Sequence, residues 1–357
     1  MSVDATWLVP LGGLLVGTVM GFTARRSNFC TLSSLERHWY ANDSNGLRTW
    51  VLAIAVAIAF TQVLLFSGAL NLDESFYLRT NLNLPAAIGG GILFGIGMAL
   101  TGTCGFGALV RLGSGSLRSL VVVVALGLAA LTAQRGVLGH LRQQYIEPLS
   151  LDLSWAGSQS LGSIVSAVLG TNVQTVVGVS VVMILLFWVF ASAHFRQSRG
   201  HILAGTIIGL CVTTGWVITY SMQQRVFEPV ALEAGSFVLP PGTLIMHLLS
   251  VNISIPDYTI GLLLGVVAGA AISASHTHDV HWEACDDARE FGRHLAGAFL
   301  MGVGGVLAAG CTIGQGVSAA STLAVSAPIV FFSIMLGARM GLSWLLEGSA
   351  LAFTRTE

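Results

Sequence analysis

Long apolar stretches separated by short polar turns dominate the chain. They fall at 6–23, 48–70, 84–101, 117–133, 173–194, 202–220, 258–274, 294–309 and 324–346. Their lengths are near the roughly 20 residues that a helix needs to cross a bilayer. Three further stretches, 27–40, 160–170 and 236–251, are too short or too interrupted to span. These suit re-entrant or interfacial helices, tolerated at membrane depth only where protein or a water-filled cavity satisfies their backbone. The pattern predicts an all-α polytopic membrane protein with about nine transmembrane helices plus short re-entrant or broken helices. Residues 1–357 form a single membrane domain in this reading, with the lipid bilayer as solvent.

Two stretches repeat one another. Gly95-x-Gly97-x-x-Leu100-x-x-x-Cys104-x-x-Gly107 matches Gly302-x-Gly304-x-x-Leu307-x-x-x-Cys311-x-x-Gly314, and Gly17-Thr18-x-x-Gly21 reappears as Gly205-Thr206-x-x-Gly209. First span then matches sixth, and third matches eighth. The offset is odd, so the halves run in opposite senses across the bilayer. The expectation is pseudo-repeat one at 6–133, a linking span at 173–194 and pseudo-repeat two at 202–346, an inverted-topology arrangement. Such repeats place binding sites near the midplane, where broken helices from both halves meet. The first half also carries Arg25-Arg26-Ser27-Asn28-Phe29-Cys30-Thr31-Leu32, whose counterpart near Trp216–Tyr220 has no thiol.

Charge sharpens this picture. Only 9% of residues are charged, 54% are hydrophobic and the mean hydropathy is +0.78, against about 25% charged in soluble domains. All 16 basic residues are arginines, so a P-loop lysine for ATP hydrolysis is excluded. The first apolar run, Trp7–Phe22, lacks a basic segment before it and a small-residue cleavage site after it, and reads as a retained helix. Arg25, Arg26, Arg37, Arg48, Arg111, Arg118, Arg196, Arg199, Arg289, Arg293 and Arg355 cluster on one side of the predicted spans. By the positive-inside rule that side is cytoplasmic, which puts the N-terminus in the periplasm and the C-terminus in the cytoplasm. A net charge of −1 gives no basis for a nucleic-acid partner.

Five cysteines, Cys30, Cys104, Cys211, Cys285 and Cys311, include no C-x-x-C pair, so neither a disulfide framework nor a dithiol centre is indicated. Cys211 reads as a packing residue. His276, His278, His281 and Cys285 fit no compact zinc pattern; no metal or other cofactor is expected.

The repeated elements suit an anion. A bare dianion is very costly to bring into a low-dielectric interior, and helix N-termini offer free N–H groups and about half a positive charge. In Gly102-Thr103-Cys104-Gly105-Phe106-Gly107 the glycines break the helix and aim successive N–H groups at a ligand. Ala309-Gly310-Cys311-Thr312-Ile313-Gly314-Gln315-Gly316 offers the same from the opposite side. Thr103, Thr312 and Gln315 add side-chain hydrogen bonds. Neutral thiols are weak, soft donors, better matched to a sulfur-containing anion than to sulfate. The candidate substrate-binding residues are Cys30, Cys104, Cys311, Gly105, Gly107, Thr312, Gly314 and Gln315.

These motifs, with Ser27-Asn28-Phe29-Cys30, resemble the YeeE/YedE membrane proteins over most of the chain. The resemblance implies a bacterial inner-membrane importer of thiosulfate. In that family three cysteines, falling here on Cys30, Cys104 and Cys311, pass the anion along a central path through S–H hydrogen bonds. It also implies a small TusA-like sulfurtransferase on the cytoplasmic side. Relatives handle other sulfur or selenium species. The competing class is a membrane thiol enzyme holding a persulfide, which needs a base or cation beside its thiolate; the reading favours transport without chemistry. Arg111 and Arg118 either draw the anion or anchor the interface. Arg339, inside the last span, either acts on the anion or pairs with Glu347 or a carbonyl.

Overall fold

The computed structural model describes residues 3–171, 173–225, 230–249, 257–280, 282–283 and 287–348. His281, Cys285, Asp286 and Arg355 lie outside the described residues. The first half contains α1 (Val3–Ser27), α2 (Thr31–Tyr40), α3 (Asn45–Phe66), α4 (Leu84–Thr101), α5 (Gly105–Gly113) and α6 (Leu117–Gln134). A connecting region follows, with α7 (Val137–Leu141), α8 (Leu161–Leu169), α9 (Gln174–Phe190) and α10 (Ala193–Gln197). The second half holds α11 (Arg199–Gln223), α12 (Leu239–Leu249), α13 (Tyr258–His276), α14 (Ala288–Leu307) and α15 (Ser326–Glu347). A small ribbon, β1 (Asn81–Leu82) antiparallel to β2 (Leu151–Asp152), marks one end of the bundle.

Seven helices are long and apolar enough to cross a membrane when α1–α2 and α4–α5 are each taken as one broken span. Helix α9 is shorter, and α14 begins with Arg289, Glu290 and Arg293. Both still coincide with predicted apolar stretches. The protein is an all-α, multi-pass membrane protein. The three short stretches appear as α2, α8 and α12, as the breaks in hydropathy predict.

Small residues determine how the helices pair, because they let backbones approach without a side chain between them. Helices α1 and α13 run parallel: Gly261 lies against Pro10 and Gly269 against Thr18. Helices α3 and α11 pair in the same sense, with Gly205 on Thr49 and Gly209 on Ala53. At the centre α4 and α14 cross antiparallel, Gly97 on Gly297 and Gly90 on Gly304. Outside them α15 packs parallel to α4, while α6 covers α14 near Gly302.

The α1–α13 contact is the tightest. A Cβ on Gly261 would sit 2.0 Å from the Pro10 carbonyl oxygen, whereas one on Gly89 meets nothing within 4 Å. Overfilling a packed interface typically costs about 1–3 kcal/mol. Gly261→Val is therefore expected to lower the melting temperature of the detergent-purified protein sharply, with Gly89→Val close to wild type. Equal melting temperatures would contradict this packing.

One sequence expectation fails. Trp216–Tyr220 does not form the counterpart of the Cys30 element; these residues are interior to α11, and Trp216 donates its indole N–H to Ser321 at 2.9 Å. The break comes later, in the non-helical segment 230–238 ahead of α12. The predicted sixth stretch, 202–220, already includes Trp216–Tyr220 and stops close to the end of α11 at Gln223, so the break lies beyond it.

Candidate functional site

Each of the three predicted cysteines stands at the N-cap of a short helix. Cys30 precedes α2 and Cys104 precedes α5, both with extended backbone (φ −139, ψ 132 and φ −87, ψ 171). Cys311 precedes the helical turn that runs into the π-helix Gly314–Ala319. Two residues before each cysteine the chain turns left-handed: Asn28 at φ 51, Gly102 at φ 70 and Ala309 at φ 56. This turn ends the preceding helix and redirects the next one. Glycine and asparagine adopt it readily, but an alanine there is strained by about 1–3 kcal/mol. At Ala309 the strain is offset by Gln315, whose amide donates to the Ala308 and Ala309 carbonyls at 3.0 and 3.1 Å.

Two of the sulfurs serve as caps. Gly107 N–H donates to Cys104 Sγ at 3.3 Å, and Gly314 N–H donates to Cys311 Sγ at 3.4 Å. Each thiol proton is thus left to donate elsewhere, at the positive end of a helix dipole. Cys30 and Cys104 face one another beside Gly107: the position of a Gly107 Cβ lies 3.4 Å from Cys30 Sγ and 3.6 Å from Cys104 Sγ. Thr31 Oγ1 approaches Cys104 Sγ at 3.9 Å.

Cys311 stands apart from this pair. Phe106, two residues after Cys104, and Phe237 are fully buried with ring centroids 5.1 Å apart. A Cβ on Gly105 would touch the Phe237 carbonyl at 3.3 Å, and the Phe237 backbone reaches Cys311. On the far side of Cys311, Tyr77 Oη and Ser236 Oγ approach the Gly314 Cβ position at 3.3 and 3.4 Å. Thr312 is buried with its hydroxyl unpartnered among the described residues.

The expected residues therefore divide. Cys30, Cys104 and Gly107 form one cluster; Cys311, Thr312 and Gly314 form another; Gly105 faces the aromatic pair. Gln315 holds the Ala309 turn and presents its side chain to a cavity on the ribbon side. Cys211 lies buried in α11. Tyr77, Ser236, Phe237 and Glu233 were not foreseen, because Tyr77 reaches the site on a single 3-10 turn and the others on a non-helical segment, too short or too irregular for a period. Asn28, the residue type best suited after glycine to a left-handed turn, is the signal that equates Cys30 with the other two.

Charged groups flank the ends. Arg111 is exposed and its charge acts on Cys30. Arg118 is engaged by Glu290 and, at 3.9 Å, by Glu283, which makes it an anchor. Arg339 lies over the Trp39 ring at 5.1 Å. At the ribbon end, Glu233 interacts with Tyr77, and burial together with the Asp257 charge pushes its carboxyl up to about 7.

The chain is similar to known proteins over nearly its whole length. The chain is 25% identical over 340 residues to a protein of Spirochaeta thermophila named thiosulfate transporter TsuA, covering 94% of this chain and 98% of the relative. It is 22% identical over 357 residues to the Escherichia coli K12 protein of the same name, covering 94% of each. The family described as Sulphur transport matches residues 26–340, nearly the whole membrane domain and all three N-cap cysteines. The chain belongs to this sulphur-transport family, the YeeE/YedE proteins.

Proposed function

We propose that the protein takes up thiosulfate across the bacterial inner membrane, with its ribbon end in the periplasm and its C-terminus in the cytoplasm. The observation that carries the reading is the threefold N-cap arrangement. Three thiols sit at helix starts inside one bundle, two of them face to face and the third beyond an aromatic pair. The anion meets Cys311 first, passes Phe106 and Phe237, and reaches Cys104 and Cys30 before leaving toward Arg111. At each station an S–H donates to the soft terminal sulfur. The individual bonds are weak, and weak multi-site binding suits passage because tight binding prevents release.

The matched pairings α1–α13 with α3–α11, and α4–α15 with α14–α6, support two inverted halves spanning 6–133 and 202–346 about the linking span 173–194. A TusA-like sulfurtransferase receiving sulfur near α2 and Arg111 fits this direction. Growth on thiosulfate as sole sulfur source, in a strain without other uptake, tests the function: this chain restores growth. No growth despite membrane expression would overturn it.

Glu233 gives the pathway a pH dependence. Thiosulfate remains a dianion near neutral pH, so an ionised carboxylate beside Tyr77 repels it. With the carboxyl poised at about 7, protonation on acidification removes that charge; Tyr77 and Asp257 are the other titratable groups acting there. Initial uptake is expected to rise as external pH falls from about 8 to about 6, and to lose most of this dependence in Glu233→Gln. An identical profile in the variant would exclude Glu233 as the cause.

A further inference from the structure

A polar chamber opens at the ribbon end, beside the Cys311 turn. Its volume is about 510 Å³, and Tyr77, Arg79, Arg142, Gln159, Ala309 and Gln315 are among its lining residues. Two of its buried polar atoms, Arg142 Nε and Gln159 Oε1, have no hydrogen-bond partner among the described residues, although Gln159 is only 5% exposed. Burying a donor such as Arg142 Nε unpaired costs about 1–3 kcal/mol, so its persistence points to a ligand that accepts a hydrogen bond; Gln159 Oε1 is itself an acceptor and is not satisfied by an anion. Arg142 is held at 3.3 Å by Glu147, whose side chain is half exposed. Arg79 extends over Phe76 at 5.0 Å. Two guanidinium groups against one carboxylate leave the chamber positive.

We propose that this chamber is an outer oxyanion site, in which Arg142 and Arg79 hold the sulfonate oxygens of thiosulfate before its sulfur reaches Cys311. The assignment rests on the uptake reading above and deepens it. Guanidinium groups match tetrahedral oxyanions through paired N–H donors, and they are hard donors where thiols are soft. Tyr77 lines the chamber and also approaches Gly314, so it joins the two sites. The chamber does not distinguish sulfate from thiosulfate; discrimination falls to the thiols further in. Sulfate therefore binds here without being carried.

Uptake of radiolabelled thiosulfate into cells, with and without external sulfate, tests this. Arg79→Gln and Arg142→Gln are expected to raise the apparent KM about tenfold, the loss of one charge-assisted hydrogen bond, with little change in maximal rate. Sulfate inhibits the wild type competitively and inhibits these variants less. Glu147→Gln, which releases Arg142, lowers the KM. Arg79 and Glu147 are largely exposed, so those two variants report even if Arg142→Gln fails to fold. Unchanged KM and unchanged sulfate inhibition in Arg79→Gln and Glu147→Gln would overturn the chamber while leaving uptake standing. A wild type that carries no thiosulfate would overturn the uptake reading instead.

Discussion

Cys104→Ala and Cys311→Ala are each expected to reduce thiosulfate-dependent growth to that of cells lacking the protein, at wild-type expression. Each thiol has two duties. Its sulfur accepts the N–H of Gly107 or Gly314, and its proton is the donor offered to the anion. Alanine removes both. The missing cap costs about 0.5–2 kcal/mol of helix stability, which a folded membrane bundle can absorb. The missing donor removes a hydrogen bond to a charged species, about 1.5–3 kcal/mol, at a buried position. Serine separates the duties, because it caps helices well but presents a hard hydroxyl. Cys104→Ser should therefore match the wild type in melting temperature and still transport poorly. Full growth with both cysteines replaced by alanine would end the thiol account. Intact-protein mass spectrometry supplies an independent check: passage without chemistry leaves no added sulfur on the thiols after thiosulfate exposure, whereas a persulfide enzyme retains one.

Gly107→Ala is expected to stop uptake without unfolding the protein. Its new methyl group would occupy the space between Cys30 and Cys104, 3.4 and 3.6 Å from the two sulfurs. It would also meet Thr103 Oγ1 at 2.4 Å; Thr103 is buried and β-branched, so this contact has to shift at a cost in stability. Within α5, alanine is favoured over glycine by up to about 1 kcal/mol, which offsets part of that cost, so the variant is expected to fold with at most a modest loss of stability. The neighbouring Gly105→Ala makes a useful contrast. Its methyl touches Leu126 and the Phe237 carbonyl, both at 3.3 Å, and lies away from the thiol pair. Uptake lost at Gly107 and largely kept at Gly105 locates the passage; equal activity in both variants would place it elsewhere.

Much of this arrangement was legible in the sequence for a physical reason. Lipid demands long apolar helices, so α1, α3, α4, α6, α11, α13 and α15 stand out by hydropathy alone. The glycine frames around Cys104 and Cys311 marked helix breaks because few other residues tolerate the turns there. Ala309 shows the limit of that logic. Its left-handed turn is imposed by Gln315 from across the break, a contact that no local propensity reveals. Gln315 itself, expected to bind substrate, holds that turn and faces the outer chamber. The segment 230–238 was only partly visible, since an extended stretch threaded into a bundle has no period to detect. Arg118 and Arg339 were ambiguous in sequence until Glu290 and Trp39 appeared beside them.

The parallel contact between α1 and α13 has a consequence for biosynthesis. Helix α1 finds its tightest partner only after more than 200 further residues have been made, and α3 likewise waits for α11. At bacterial elongation rates of about 5–20 residues per second, the nascent chain spends on the order of ten seconds or more with those small-residue faces open to lipid. Neither half can close its own interfaces, so a chain stopped near residue 200 should remain a substrate for membrane quality-control proteases.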